Sequence, residues 1–118
     1  MADVDDEIDR SNCVNYSSHM VEVIESDTFK AWFAGLRDSR ARARIIARIR
    51  RLSLGNPGDC AAVGEGVSEM RIDHGPGYRV YFAQRGQVIA LLLCGGDKST
   101  QRADIVKARR IASEWSES

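Results

Sequence analysis

The sequence is poor in the residues that usually announce a site. Its 118 residues include two histidines, two prolines and three cysteines, the last at positions 13, 60 and 94. No His or Cys pair stands two to five residues apart, so the spacing of a structural zinc site is missing and no metal or other cofactor is expected. An odd number of cysteines without a Cys-x-x-Cys pair does not suit a disulfide framework. Cys94, at the end of an apolar run, reads as a small core residue. No apolar run approaches the roughly 18–20 residues needed to cross a bilayer. The opening MADVDDEIDR is acidic and lacks the basic-then-apolar order of a signal peptide, so the reducing cytoplasm is the expected compartment. A nucleotide-binding loop is missing too. In LLLCGGDKSTQRADI, residues 91–105, Asp97 separates Gly96 from Lys98 and Leu91 stands where the first glycine of that loop belongs. The required Gly-x-x-x-x-Gly-Lys spacing is broken.

What is present is a globular composition, 43% apolar and 29% charged, in a length that suits one domain with a modest core. The net charge of zero conceals an asymmetry. Residues 1–19 carry Asp3, Asp5, Asp6, Glu7 and Asp9 against Arg10, so with 17 charges of each sign overall, residues 20–118 hold 16 basic against 12 acidic. Residues 1–19 read as a flexible acidic tail and residues 20–118 as the folded domain. A basic, arginine-rich domain attracts phosphate backbones and acidic protein segments alike.

Along the domain, MVEVI at 20–24 alternates as a half-buried strand does. Ser26 or Asp27 caps a helix whose apolar face is Phe29, Trp32, Phe33 and Leu36. Asp38 or Ser39 caps a second helix, with Ile45, Ile49 and Leu52 toward the core and Arg40, Arg44, Arg48 and Arg51 as a basic stripe on another face. GNPGD turns the chain, and the stretch to Gly66 reads as a loop. Three strands follow: GVSEMRID, then YRVYFAQ after the tight turn HGPG, then the apolar QVIALLLC. A last helix from Ser99 to Trp115 is capped by Ser99 or Thr100. The order β-α-α-β-β-β-α predicts an α+β fold, a twisted and mainly antiparallel sheet with two N-terminal helices and a C-terminal helix packed on one face.

Arg71 and Arg79 lie on strands joined by a four-residue turn, and the register puts both on one sheet face. Lys98 leaves the end of the next strand, and Asp104 follows one turn into the helix. Two arginines, a lysine at the rim and a helix N-terminus make a phosphate site. The plainer reading is a set of surface charges paired with Glu69, Asp73 and Asp97. His74 has the intrinsic pKa for proton transfer, although it sits in a turn. Tyr81 is a candidate for stacking on a base, and the arginines of the second helix, Arg44 and Arg48, are candidates for RNA contact.

Several stretches, GNPGD at 55–59, GEGVSEMRID at 64–73, GPGYRVYF at 75–82 and LLLCGGDKSTQRADIVKA at 91–108, carry a resemblance to the RelE/HigB-like toxins of bacterial toxin–antitoxin systems, the addiction-module killer proteins. The resemblance implies a compact RelE-like fold and metal-independent endoribonuclease action on mRNA, usually at the ribosome. It also implies a cognate antitoxin that holds the activity in check within a hetero-oligomer. By position, Arg79 matches the strand arginine that acts on the phosphate, Lys98 a second functional cation and Arg71 a helper. Asp104 falls near the place of a catalytic tyrosine in RelE, and no tyrosine follows Tyr81 here. ParE-like toxins, which bind DNA gyrase, share the architecture, so gyrase binding stays open as an alternative. So does a catalytically degenerate module that only co-represses with its antitoxin.

Overall fold

The computed structural model describes Cys13 and residues 19–115. Strand β1 (Glu22–Glu25) leads into helix α1 (Asp27–Ala34) and helix α2 (Ser39–Ser53). Four strands follow in succession: β2 (Cys60–Gly64), β3 (Val67–Ile72), β4 (Tyr78–Arg85) and β5 (Ile89–Asp97). A single 3-10 turn, Lys98–Thr100, then opens helix α3 (Gln101–Glu114). The five-stranded sheet has the order β1-β5-β4-β3-β2, with β1 parallel to β5 and every other pair antiparallel. The α+β expectation holds. None of the described helices is long and apolar enough to cross a membrane.

Three details correct the sequence reading. The segment expected as a loop before Gly66 contains β2, whose Cys60, Ala61 and Ala62 pair with Met70, Glu69 and Ser68. The helices cover both faces of the sheet instead of one. Phe29 of α1 and Ile45 and Leu52 of α2 pack with Met70, Ile72, Val80, Phe82 and Leu92. Ala108 and Ala112 of α3 pack on the other face with Val67, Tyr81, Ala83, Leu91 and Leu93. The third correction is a disulfide between Cys13 and Cys60, whose Cα atoms stand 5.9 Å apart, a separation that a disulfide spans. Spacing along the chain carried no sign of this pair; only the fold brings 13 and 60 together. Cys94 is the buried free cysteine.

Helix starts follow local chemistry. The Ser26 hydroxyl accepts from Phe29 N at 3.0 Å while donating to Leu93 O at 2.7 Å, so one side chain caps α1 and ties it to β5. Asp38 caps α2 by accepting from the amides of Arg40 and Ala41. At the third start Thr100, one of the two expected caps, is the N-cap residue of α3, but its side chain makes no cap bond there; the capping side chain is Asp97, one turn earlier, paired reciprocally with Thr100 in a capping box.

Gly95 and Gly96 lie inside β5, which continues past them to Asp97. A bulge sets their phase, since Tyr81 pairs with Cys94 while Phe82 pairs with Leu92. Leu93 and Cys94 therefore both join the α3-side core, and the following residues alternate anew. A side chain on Gly95 would run into the Trp32 indole, and one on Gly96 into the Asp104 carboxylate. Each glycine is the floor beneath a residue of a packed helix.

Candidate functional site

The site forms where α3 stops covering its face of the sheet. Arg71 on β3 and Arg79 on β4 are direct cross-strand partners, and Gly96 on β5 is the next partner of Arg79. Arg71, Arg79 and Lys98 line a cleft of about 410 Å³ together with Asp59, Asp73 and the Gly75–Pro76–Gly77 turn. Gly77 has φ +81°, a left-handed conformation that suits glycine, and this turn lets β4 return beside β3. The backbone amide of Lys98 donates to Pro76 O at 3.4 Å, which holds the lysine beside the same turn.

Like charges directly opposite on neighbouring strands repel. Here Glu69, one pleat along β3 on the same face, supplies the countercharge. It is 1% exposed. Its Oε2 accepts from Arg71 Nε at 3.0 Å and stands 3.5 Å from Arg79 Nε. Its Oε1 accepts from Gln101 Nε2 at 2.7 Å and from the Tyr81 hydroxyl at 3.3 Å. Sequence reading took Glu69 as one partner among surface charges and missed Gln101. The i, i+2 spacing of Glu69 and Arg71 was the signal for the first, while nothing in the sequence marked the second.

Arg79 has donors to spare. Its side chain is 14% exposed, yet Nε has no hydrogen-bond partner and Nη1 reaches only Gly77 O, at 3.5 Å. The Nε instead faces the Glu69 carboxylate as an ion pair, which leaves the Nη end as the part of this guanidinium open to the cleft. Arg71 is more open, 37% exposed, with Asp59 Oδ1 3.8 Å from its Nη1. Lys98 is exposed and makes no ion pair among the described residues.

The other expected site residues are placed differently. Asp104 is buried over Gly96, beside the strand position of Arg79, and its Oδ2 accepts from the Thr100 hydroxyl at 2.5 Å. It does not line the cleft. Tyr81 is fully buried, which removes it from base stacking. Burial first, then the charges of Glu69 and Asp104, push its phenol well above the ordinary value. His74 turns toward α2, its Nε2 3.2 Å from Asp38 Oδ2 and its ring stacked on Tyr78. The Ala41 amide first, and His74 next, hold the Asp38 carboxyl below its usual range. Arg48 is a brace: it donates to Pro57 O at 2.9 Å, to Asp59 O at 3.0 Å and to Arg71 O. Of the two helical arginines expected to touch RNA, Arg44 stays on the exposed surface.

The molecule is a small α+β domain with an arginine-pair cleft at the open end of its sheet. The chain belongs to the family described as phage derived protein Gp49-like (DUF891), whose model matches residues 31–115. That family is toxin-like and related to toxin–antitoxin modules, which implies an antitoxin partner in general terms. A protein of Haemophilus influenzae described as uncharacterized is 48% identical over 94 residues, covering 80% of this chain and 95% of that protein.

Proposed function

We propose that this chain is the toxin of a toxin–antitoxin pair and that it cleaves RNA at the Arg71–Arg79–Lys98 cleft, acting in the cytoplasm on ribosome-bound mRNA. The observation that carries the reading is Arg79, paired through Nε with buried Glu69 and lining an open cleft opposite a second arginine. In the reaction the RNA 2′-oxygen attacks the adjacent phosphorus, its proton passes to a base, and the bond to the 5′-oxygen breaks. The products are a 2′,3′-cyclic phosphate and a 5′-hydroxyl, with a proton delivered to the leaving oxygen. The two guanidiniums meet the charge that grows on the non-bridging oxygens, which is where preorganised cations act most. Lys98, on the rim at the start of α3, faces the same phosphate. An antitoxin would silence the protein by laying an acidic segment on this cleft or on the exposed arginines of α2.

The test is induction of the chain without antitoxin, with transcript 5′ ends mapped, beside Arg79→Ala and Lys98→Ala. The expected result is growth arrest with new 5′ ends inside reading frames, lost in both variants; removal of one such donor lowers turnover by roughly 100- to 1,000-fold. Arrest with intact transcripts would overturn the reading in favour of a protein target such as gyrase. No arrest at all would point to a co-repressing module.

A further inference from the structure

We propose that Glu69 is the positioning residue of the cleft: it fixes the two arginines in a shared orientation, aimed at the charge that grows on a phosphate in the transition state. The inference rests on the reading of the cleft as an RNA-cleaving site. Glu69 touches no ligand, because it is 1% exposed and beneath both guanidiniums. It acts through them.

A guanidinium offers two hydrogen-bonding edges in a fixed plane. Glu69 Oε2 faces the Nε of both arginines, at 3.0 and 3.5 Å, so the Nη ends are left for the cleft. Gln101 and the Tyr81 hydroxyl hold the other carboxylate oxygen from behind, and they come from α3 and β4, elements independent of β3. A carboxylate held this way cannot swing out to compete with a phosphate, and two arginines on opposed strands stay in register despite their like charge.

Arg71, Arg79 and Lys98 bring positive charge to the cleft, and buried Glu69 offsets part of it together with Asp59 and Asp73 on the lining. What the buried carboxylate adds is a fixed direction for the two guanidiniums. Binding that favours the transition state raises turnover, whereas binding that favours both states alike does not.

The test is steady-state cleavage of a short mRNA held on programmed ribosomes by the full chain and by Glu69→Gln, Gln101→Ala and Arg79→Ala. An uncleavable RNA, with a 2′-deoxy sugar at the cut site, gives the binding constant. For Glu69→Gln, kcat falls roughly 10- to 100-fold, an effect smaller than loss of a donor itself, while affinity for the uncleavable RNA holds or tightens. Gln101→Ala, which releases one support from a partly exposed helix position, lowers kcat less and leaves affinity unchanged; it decides the matter if Glu69→Gln does not fold. A loss carried wholly by KM, or full activity in both variants while Arg79→Ala is inactive, overturns the positioning role and leaves the RNA-cleavage reading standing. Full activity in Arg79→Ala overturns that reading and this inference with it.

Discussion

Gly96 shows how one missing side chain shapes the site. A Cβ at this position would overlap the Asp104 carboxylate and stand 2.8 Å from Thr100 Oγ1. Gly96→Ala therefore pushes α3 off β5 at the end next to Arg79, and overpacking of this kind costs about 1–3 kcal/mol. Urea unfolding reads the loss, and cleavage falls with it if the α3 N-terminus helps to hold Gln101 on Glu69. Tyr81 gives a pH prediction. Its phenol is pushed above the ordinary value near 10, chiefly by burial, so the folded state favours the neutral form. That contribution is complete below about pH 10, the unfolded value, and is lost as pH rises beyond it. Unfolding monitored against pH should show stability declining from about pH 10 upward, with the decline smaller in Tyr81→Phe. Strand alternation singled out Arg71 and Arg79, but their shared face needs the five-residue connection 73–77, which pairs Ile72 with Tyr78; the four-residue turn expected from the sequence would set Arg71 opposite Val80. The fate of Tyr81 was not legible. The same alternation puts it on the arginine face, and only the placement of α3 over that half of the face decides that it is buried.

At the scale of elements, caps and braces decide the geometry. Ser26→Ala removes both the α1 cap and the bond to Leu93 O, and the expected loss is about 1–2 kcal/mol, read as a lower urea midpoint. Arg48→Ala removes a donor from the carbonyls of Pro57, Asp59 and Arg71 together, although Asp59 O keeps the Arg71 amide. The cleft wall at Asp59 loosens, and stability falls by roughly 1–3 kcal/mol. Arg48→Lys does not restore it, since one ammonium cannot reproduce the planar fork that reaches three carbonyls. The periodicity of α2 placed Ile45 and Leu52 in the core correctly, and it also placed Arg48 on the basic stripe; what it could not reveal was the turn folding back over that arginine. The strand β2 escaped notice because CAAVG has neither alternation nor β-branched density. It is a strand because β3 pairs with it, a tertiary cause that outweighs its weak intrinsic preference. The same limit applies to the two-sided layering. Amphipathic patterns say that each helix has a buried face but not which side of the sheet receives it.

For the whole molecule, the Cys13–Cys60 disulfide ties a residue far upstream of β1 to the first residue of β2, 47 positions away. The Ser68 hydroxyl, which donates to Cys13 O at 3.2 Å, holds Cys13 against β3 as well. A cross-link of this span removes conformations chiefly from the unfolded chain, worth roughly 2–4 kcal/mol. In a reducing compartment the two sulfurs are thiols and that contribution is absent, so the stability of this protein depends on where it resides. Thiol labelling at pH 8 reads the difference directly. The Cys94 thiol is pushed up to about 12, mainly by burial and then by the Asp104 charge, and a thiol so rarely ionised is unreactive. The oxidised native protein should therefore take up no label, reduction should open Cys13 to it, and unfolding should expose all three cysteines. Thermal unfolding with and without dithiothreitol should fall in step with the appearance of the Cys13 label. A native protein that labels at Cys13 before any reductant is added, with the same melting temperature in both conditions, would mean that the strands and helices alone hold the sheet.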